Sequence, residues 1–183
     1  MRLTTFLLCF LSLCWLPHAR GKVVLSLPEA LEHQKSARPG SDWKSENHYL
    51  TPTQLELAKS VSGVRMNGAL VVRNVLTGTG GMPLLYAYTD THQVRSHSES
   101  VIAFVSPGGS VERVEVLQFD EPLEYLPKSQ WYDTFHGAKL DPELDLKRKI
   151  PLVTGASLSA KSVVEATRRI LALHRVIGEG DAR

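Results

Sequence analysis

Ser100-Val101-Ile102-Ala103-Phe104-Val105-Ser106-Pro107-Gly108-Gly109-Ser110-Val111-Glu112-Arg113-Val114-Glu115-Val116-Leu117-Gln118-Phe119 decides the reading of this chain. Two apolar, β-branched arms, Ser100–Ser106 and Val111–Phe119, flank Pro107-Gly108-Gly109. Such a turn between strand-like runs reads as an antiparallel hairpin. In the second arm Val111, Val114 and Val116 interleave with Glu112, Arg113 and Glu115, so one face is expected to meet an apolar layer and the other to meet solvent.

Working outward, Ala69–Leu76 and Leu84–Tyr88 read as further strands, with Gly78-Thr79-Gly80-Gly81 as the loop between them. Before them a helix is predicted to start at Thr51. Thr51 is the N-cap, Pro52 suits the first helical position, and Gln54 completes a capping box. Leu50 and Leu55 can form the hydrophobic staple, and Gly63 is the stop. After the hairpin, Tyr125–Phe135 reads as a short helix carrying Trp131 and Phe135. Leu140–Lys149 is charged and broken by Pro142. An amphipathic helix from Ser159 to Ile177 follows, with Val163, Ala166, Ile170, Leu173 and Ile177 on one face. Arg168, Arg169, His174 and Arg175 in its second half suit the helix dipole, and Gly178 is the expected stop. Near the start, Val23–Leu31 reads as a strand or a helix, followed by an exposed loop to about His48. Strands in the middle and helices outside them predict an α+β fold: a twisted, mainly antiparallel sheet with flanking helices and a C-terminal amphipathic helix.

Composition narrows the function. In 183 residues, 43% apolar and 22% charged, there is no match to a long disordered chain, and 13 Gly with 10 Pro exclude a collagen-like repeat. Two cysteines are too few for a disulfide scaffold or a four-cysteine zinc site. Both of them, Cys9 and Cys14, fall in residues 1–21. There a basic start, an apolar run from Phe6 to Leu16 and Ala19-Arg20-Gly21 describe a secretory signal peptide. The run is shorter than the roughly 20 apolar residues of a bilayer-spanning helix. The chain from Lys22 onward then carries no cysteine and as many acidic as basic residues, so no nucleic-acid partner is expected. The expected location is exported, periplasmic or extracytoplasmic, with a membrane-associated variant. The expected division is a signal peptide over 1–21, an N-terminal extension and first strands over 22–91, and the main domain over 92–183.

Chemistry concentrates at Thr154-Gly155-Ala156-Ser157-Leu158-Ser159, immediately before the last helix. Small residues admit a close approach to the backbone. The first N–H groups of a helix lack intrahelical partners and point outward, which makes a seat for an anion, above all a phosphate. Thr154, Ser157 and Ser159 add hydroxyls. The competing reading is simple capping of the helix by Ser157 or Ser159. Other constellations are weaker. Gly155-x-Ser157-x-Ser159 lacks the last glycine of a hydrolase elbow. The histidines after residue 22, at 33, 48, 92, 97, 136 and 174, show no helical metal-ligand spacing. Gly78–Gly81 lacks the lysine of a phosphate loop, and Asp145–Lys149 reads as a solvated face.

Thr154-Gly155-Ala156-Ser157, the hydroxyl of Ser159 and the terminal helix together resemble the FMN-binding domain of extracytoplasmic flavoproteins. That family includes the flavin-carrying subunits of sodium-pumping NADH:quinone reductases and related electron-transport complexes. Asp120-Glu121-Pro122 after the strand pair is similar to that family's Glu-Thr/Pro turn, and the resemblance covers residues 92–177. It implies FMN as cofactor, held by Thr154, Gly155, Ala156, Ser157, Leu158, Ser159 and Glu121. It also implies a phosphoester on the Ser157 hydroxyl, installed from FAD by a dedicated FAD-dependent flavin transferase. Glu121, Tyr125 and Trp131 are candidate ring contacts by position and type, with core packing the favoured reading for Trp131 and Tyr125. Pro151 stands where the family usually carries Asp, and Ser157 where it usually carries Thr. No acid–base or nucleophile pair stands out beside the motif, so the chemistry expected is the flavin's own. The resemblance thus implies an electron-transfer flavoprotein working with membrane or extracytoplasmic redox partners, rather than an enzyme with its own substrate. The alternative is a flavin-free interaction or accessory module on the same fold.

Overall fold

The computed structural model describes residues 22–181; the signal-peptide reading of 1–21 lies outside them. The elements in chain order are β1 (Lys22–Val23), α1 (Leu27–Ser36), β2 (Asp42–Tyr49), α2 (Pro52–Ser62), β3 (Leu70–Thr77), β4 (Pro83–Gln93), β5 (Ser98–Val105), β6 (Val111–Phe119), α3 (Ser129–Tyr132) and α4 (Ser157–Asp181). Single 3-10 turns at Leu123–Tyr125 and Asp133–Phe135 bracket α3. The strands form one six-stranded antiparallel sheet in the order β1-β6-β5-β4-β3-β2. The fold is α+β, as the order of elements predicts. Residue 92 falls inside β4, so the segments on either side of it share this sheet.

Side chains alternate across the strands and build two apolar layers. Tyr88 of β4, Val101, Ala103 and Val105 of β5, and Val114 and Val116 of β6 face α3 and α4. There they meet Trp131, Phe135, Val163, Ala166, Ile170 and Ile177. Leu76, Leu85, Ala87, Ile102 and Phe104 face the other way and meet Ala30 of α1, with Leu31 and Trp43 beside them. Trp43 Nε1 donates to the Leu31 carbonyl at 2.9 Å, pinning β2 to α1. α2 packs on the outer side of α4 through Ala58, Ala172 and Val176. No helix among the described residues is long and apolar enough to cross a membrane.

Several local readings meet their structure. α2 has the Thr51–Gln54 capping box, Pro at its start and Gly63 left-handed at φ 69°. The Pro107-Gly108-Gly109 turn joins β5 and β6 as an antiparallel pair. Three readings differ. Residues 42–49, read as loop, form β2, because eight residues of β3 pair with them one for one. The stretch around Val23–Leu31 divides into β1 and α1, with a Ser26–Glu29 capping box opening the helix. Gly178 does not stop α4; it is absent from the glycines with positive φ, and the helix runs on to Asp181.

Candidate functional site at the start of α4

α1 and α2 begin under side-chain caps: Glu29 N bonds Ser26 Oγ, and Gln54 N bonds Thr51 Oγ1. α4 begins differently. Ala156 precedes it, and the first backbone bond runs from Ala160 N to Ala156 O at 2.9 Å. Ser157 Oγ donates back to the Val153 carbonyl at 3.1 Å. Ser159 is almost fully buried, and its Oγ has no hydrogen-bond partner. Neither serine caps the helix, so the N–H groups of Ser157, Leu158 and Ser159 stand ahead of its first bonded turn. Just upstream, Gly155 takes φ +84°, and nothing lies within 4 Å of the place a Cβ would occupy. That left-handed conformation favours glycine and leaves the approach to Ser157 open.

Thr154, Gly155, Ser157 and Leu158 are exposed, whereas Ala156 and Ser159 are buried. The site therefore offers unpaired N–H groups and an exposed hydroxyl at Ser157. Leu152 and Leu158 flank it and are each about half exposed. Donors at a helix start of this kind suit a phosphate.

The surrounding aromatic and acidic residues position this segment. Trp131 Nε1 donates to the Pro151 carbonyl at 2.8 Å, and its buried ring packs edge-on to Tyr132 and Phe135 at 5.1 and 5.2 Å. Val153 packs against the same core. The motif is thus tied to α3 on the side that leads into it. Glu121 is buried, and its Oε1 accepts from Ser96 N at 3.0 Å and His97 N at 3.2 Å in the β4–β5 turn. These backbone donors, Ser96 first, hold its carboxyl below the usual range. The Arg95 guanidinium lies 4.3 Å from the centre of the Tyr125 ring. Glu121 and Tyr125 therefore shape the β4–β5 turn, and Trp131 anchors the motif.

Both regions lie toward one end of the molecule. Arg169 meets Asp90 and His174 meets Tyr88, so α4 runs opposite to β4. Ser157 lies about 18 Å back along α4 from Arg169, and Val94 lies about 13 Å onward along β4 from Asp90.

Beneath α4 sits a charge network that sequence reasoning missed. Arg169 holds Asp90 through two bonds, Nε to Oδ2 at 2.8 Å and Nη2 to Oδ1 at 2.7 Å. Asn67 Nδ2 also reaches Asp90 Oδ2 at 3.1 Å. His92 lies between carboxylates, with Nδ1 at 2.9 Å from Asp90 Oδ1 and Nε2 at 3.0 Å from Glu99 Oε2. The side chains of Asp90, His92, Glu99 and Arg169 are all 7% exposed or less. With a carboxylate at each ring nitrogen, both nitrogens donate when His92 is the imidazolium. Burial opposes that charge, but Asp90 and Glu99 outweigh it and raise the His92 pKa. Burial would also raise Asp90, yet Arg169 and His92 hold it down at about 2. Burial raises Glu99 against the pull of His92. Glu99 Oε1 and the neighbouring Tyr132 hydroxyl have no partner.

Two ionisable residues on the inward side of β4, Asp90 and His92, were the available signal. Their partners Glu99 and Arg169 sit on other elements, beyond the reach of local spacing. The network locks the motif-bearing helix to the sheet. Among the described residues no group of three His, Cys, Asp or Glu could hold a metal ion. Compared with protein-family models, curated proteins and solved structures, the chain matches none.

Proposed function

We propose that this protein is an extracytoplasmic FMN carrier, with the flavin phosphate at the start of α4 and esterified to Ser157. The observation that carries the reading is the uncapped α4 start, with Ser157 exposed and the approach at Gly155 open. Bound there, FMN supplies one- and two-electron chemistry. The chain's residues hold and orient it. The N–H groups of Ser157, Leu158 and Ser159 and the helix dipole favour the phosphate charge. Trp131, through Pro151, fixes the segment that presents Ser157. Attachment is a phosphoryl transfer from FAD, catalysed by a partner transferase. Ser157 Oγ forms the new P–O bond, the pyrophosphate P–O bond breaks, AMP leaves, and the hydroxyl proton passes to the transferase or solvent. Electrons then pass to and from membrane or extracytoplasmic redox partners.

The test is the intact mass of the full chain co-expressed with a flavin transferase. Wild type should gain the mass of FMN less one water and stay yellow after denaturation. Ser157→Ala should show the bare polypeptide. An unmodified wild type that also gains no thermal stability from added FMN would overturn the reading, because a ligand of the folded state must stabilise it.

A flavin-free interaction module is the second reading. Tyr49 of β2 and Leu70 of β3 face each other across the ladder and are 76% and 53% exposed, an uncovered apolar patch on the sheet. An unmodified, FMN-indifferent protein would favour it.

A further inference from the structure

The two edges of the sheet end differently. On one side β1 pairs with Phe119 and Gln118 of β6, Val24 N and Leu25 N bond the Leu117 carbonyl, and Val111 bonds Gly137 and Ala138. The other edge is β2. Leu50 N donates to the Ala69 carbonyl, and the β2–β3 ladder runs one for one from Asp42 to Tyr49. Asp42, Lys44, Glu46 and His48 therefore turn their backbone N–H and C=O groups toward β3. Those of Trp43, Ser45, Asn47 and Tyr49 point outward, and no backbone group among the described residues pairs with them. The Trp43 N–H bonds the neighbouring Asp42 carboxylate, which is itself exposed. Proteins blunt an edge by shortness, a bulge, a proline or charge. β2 has eight residues, no proline and no register shift against β3, so charge is the device present.

Those charges select a partner strand. Outward groups fall on alternate residues, so a second β2 can pair antiparallel only in certain registers. With a two-fold axis at Ser45, Lys44 faces Glu46 of the other strand, and Asp42 faces His48. An axis one residue earlier sets Lys44 against Lys44 and Asp42 against Glu46. An axis one residue later sets Glu46 against Glu46. Like charges directly opposite are destabilising, and axes farther out engage only one end of the strand. Lys44 is three-quarters exposed, and its contact with its own Glu46 is a long 3.4 Å, so its ammonium is free to reach across. The same register sets exposed Tyr49 opposite Ser41 of the second copy, beside the end of that copy's α1.

We propose that β2 is the interface of a two-fold dimer, pairing antiparallel with β2 of a second copy about an axis at Ser45. Trp43 with Asn47, Ser45 with Ser45, and Asn47 with Trp43 each exchange two backbone bonds, and the two sheets become one. Every contact is made twice and the β6 edge is covered, so the assembly closes at two copies. The dimer holds whether or not Ser157 carries FMN, because no residue of β2 belongs to the motif.

Sedimentation of the purified protein over a range of concentrations tests it. Wild type should reach twice the chain mass. Asn47→Pro removes an outward N–H and leaves the bonds to β3 in place, so it should give a monomer with unchanged circular dichroism. Lys44→Glu should weaken association on the order of tenfold. With Cys9 and Cys14 changed to serine, Ser45→Cys should cross-link two copies on mild oxidation and Asn47→Cys should not, because only Ser45 meets itself. A monomeric wild type, or a dimer that survives Asn47→Pro, would overturn the interface. Cross-linking through Asn47→Cys in place of Ser45→Cys would overturn the register. A monomer whose Ser45 and Asn47 amides resist hydrogen exchange would have its edge covered by another occupant, and the dimer would fall equally.

Discussion

His174 lies between the sheet and α4, with its Nδ1 3.0 Å from the Tyr88 hydroxyl and its ring edge-on to Tyr86. Burial first, and then the Arg73 charge, push its pKa down to about 4 from an ordinary 6.5. A base whose folded pKa is depressed gives up stability when it must be protonated. Its contribution is therefore complete above pH 6.5 and is lost as pH falls toward 4. At about 1.4 kcal/mol per pKa unit the loss is on the order of 3 kcal/mol. His92 has the opposite sign. Its raised pKa contributes stability that is complete below pH 6.5 and is lost as pH rises through the folded value. Asp90, at about 2 against 3.8, adds a further loss only below pH 3.8. Raised Glu99 works in the other direction on the acid side. Urea unfolding followed from pH 4 to 9 should therefore give a stability that falls on both sides of neutrality. His174→Gln should flatten the fall between pH 6.5 and 4. An unchanged acid limb in that variant would show that His174 does not govern it.

At the scale of elements, α4 is both the largest packing surface and the carrier of the motif, so its attachment to the sheet matters most. Arg169 is its polar link. Removing the guanidinium leaves the Asp90 carboxylate buried with only His92 and Asn67, and breaking one partner out of a buried pair costs about 3–5 kcal/mol. Arg169→Met should lower the urea midpoint accordingly. Asp90→Asn combined with Arg169→Met should recover part of the loss, because no unpaired charge then remains; an additive double variant would show that the two residues act separately. The elements also show what a sequence makes legible. α2 could be read from Thr51, Pro52, Gln54 and Gly63 because its signals are local. β2 could not. Asp42-Trp43-Lys44-Ser45-Glu46-Asn47-His48-Tyr49 has no buried residue and no apolar alternation, so only the ladder with β3 makes it a strand. Ser26 and Glu29 did carry a readable capping box for α1, obscured by the mixed composition around them. At the site, Thr154–Ser159 was placed at a helix start by small residues and hydroxyls. The network of Asp90, His92, Glu99 and Arg169 stayed hidden because its members meet only when β4, β5 and α4 pack.

Across the whole molecule, one continuous sheet separates two apolar layers that differ in extent. The α1 layer is small, and Trp43 reports on it through its bond to Leu31 and its contact with Phe104. The α4 layer is large, and Trp131 reports on it beneath the motif. Every central strand sends alternate residues into both layers: Leu85 and Ala87 go one way and Tyr88 the other, while Ile102 and Phe104 oppose Val101, Ala103 and Val105. Neither layer can lose its strand side without dismantling the other, so the protein should unfold in one cooperative step. Variants that keep only Trp43 or only Trp131, with the remaining tryptophans changed to Phe, should share one urea midpoint once each is referenced to its own circular-dichroism transition. An earlier Trp43 transition would mean that α1 and β2 peel from the sheet first. The motif-bearing layer would then be the unit that survives. The Trp131 signal should in that case persist at urea concentrations where Trp43 is already exposed, whereas a single cooperative unit loses both signals together.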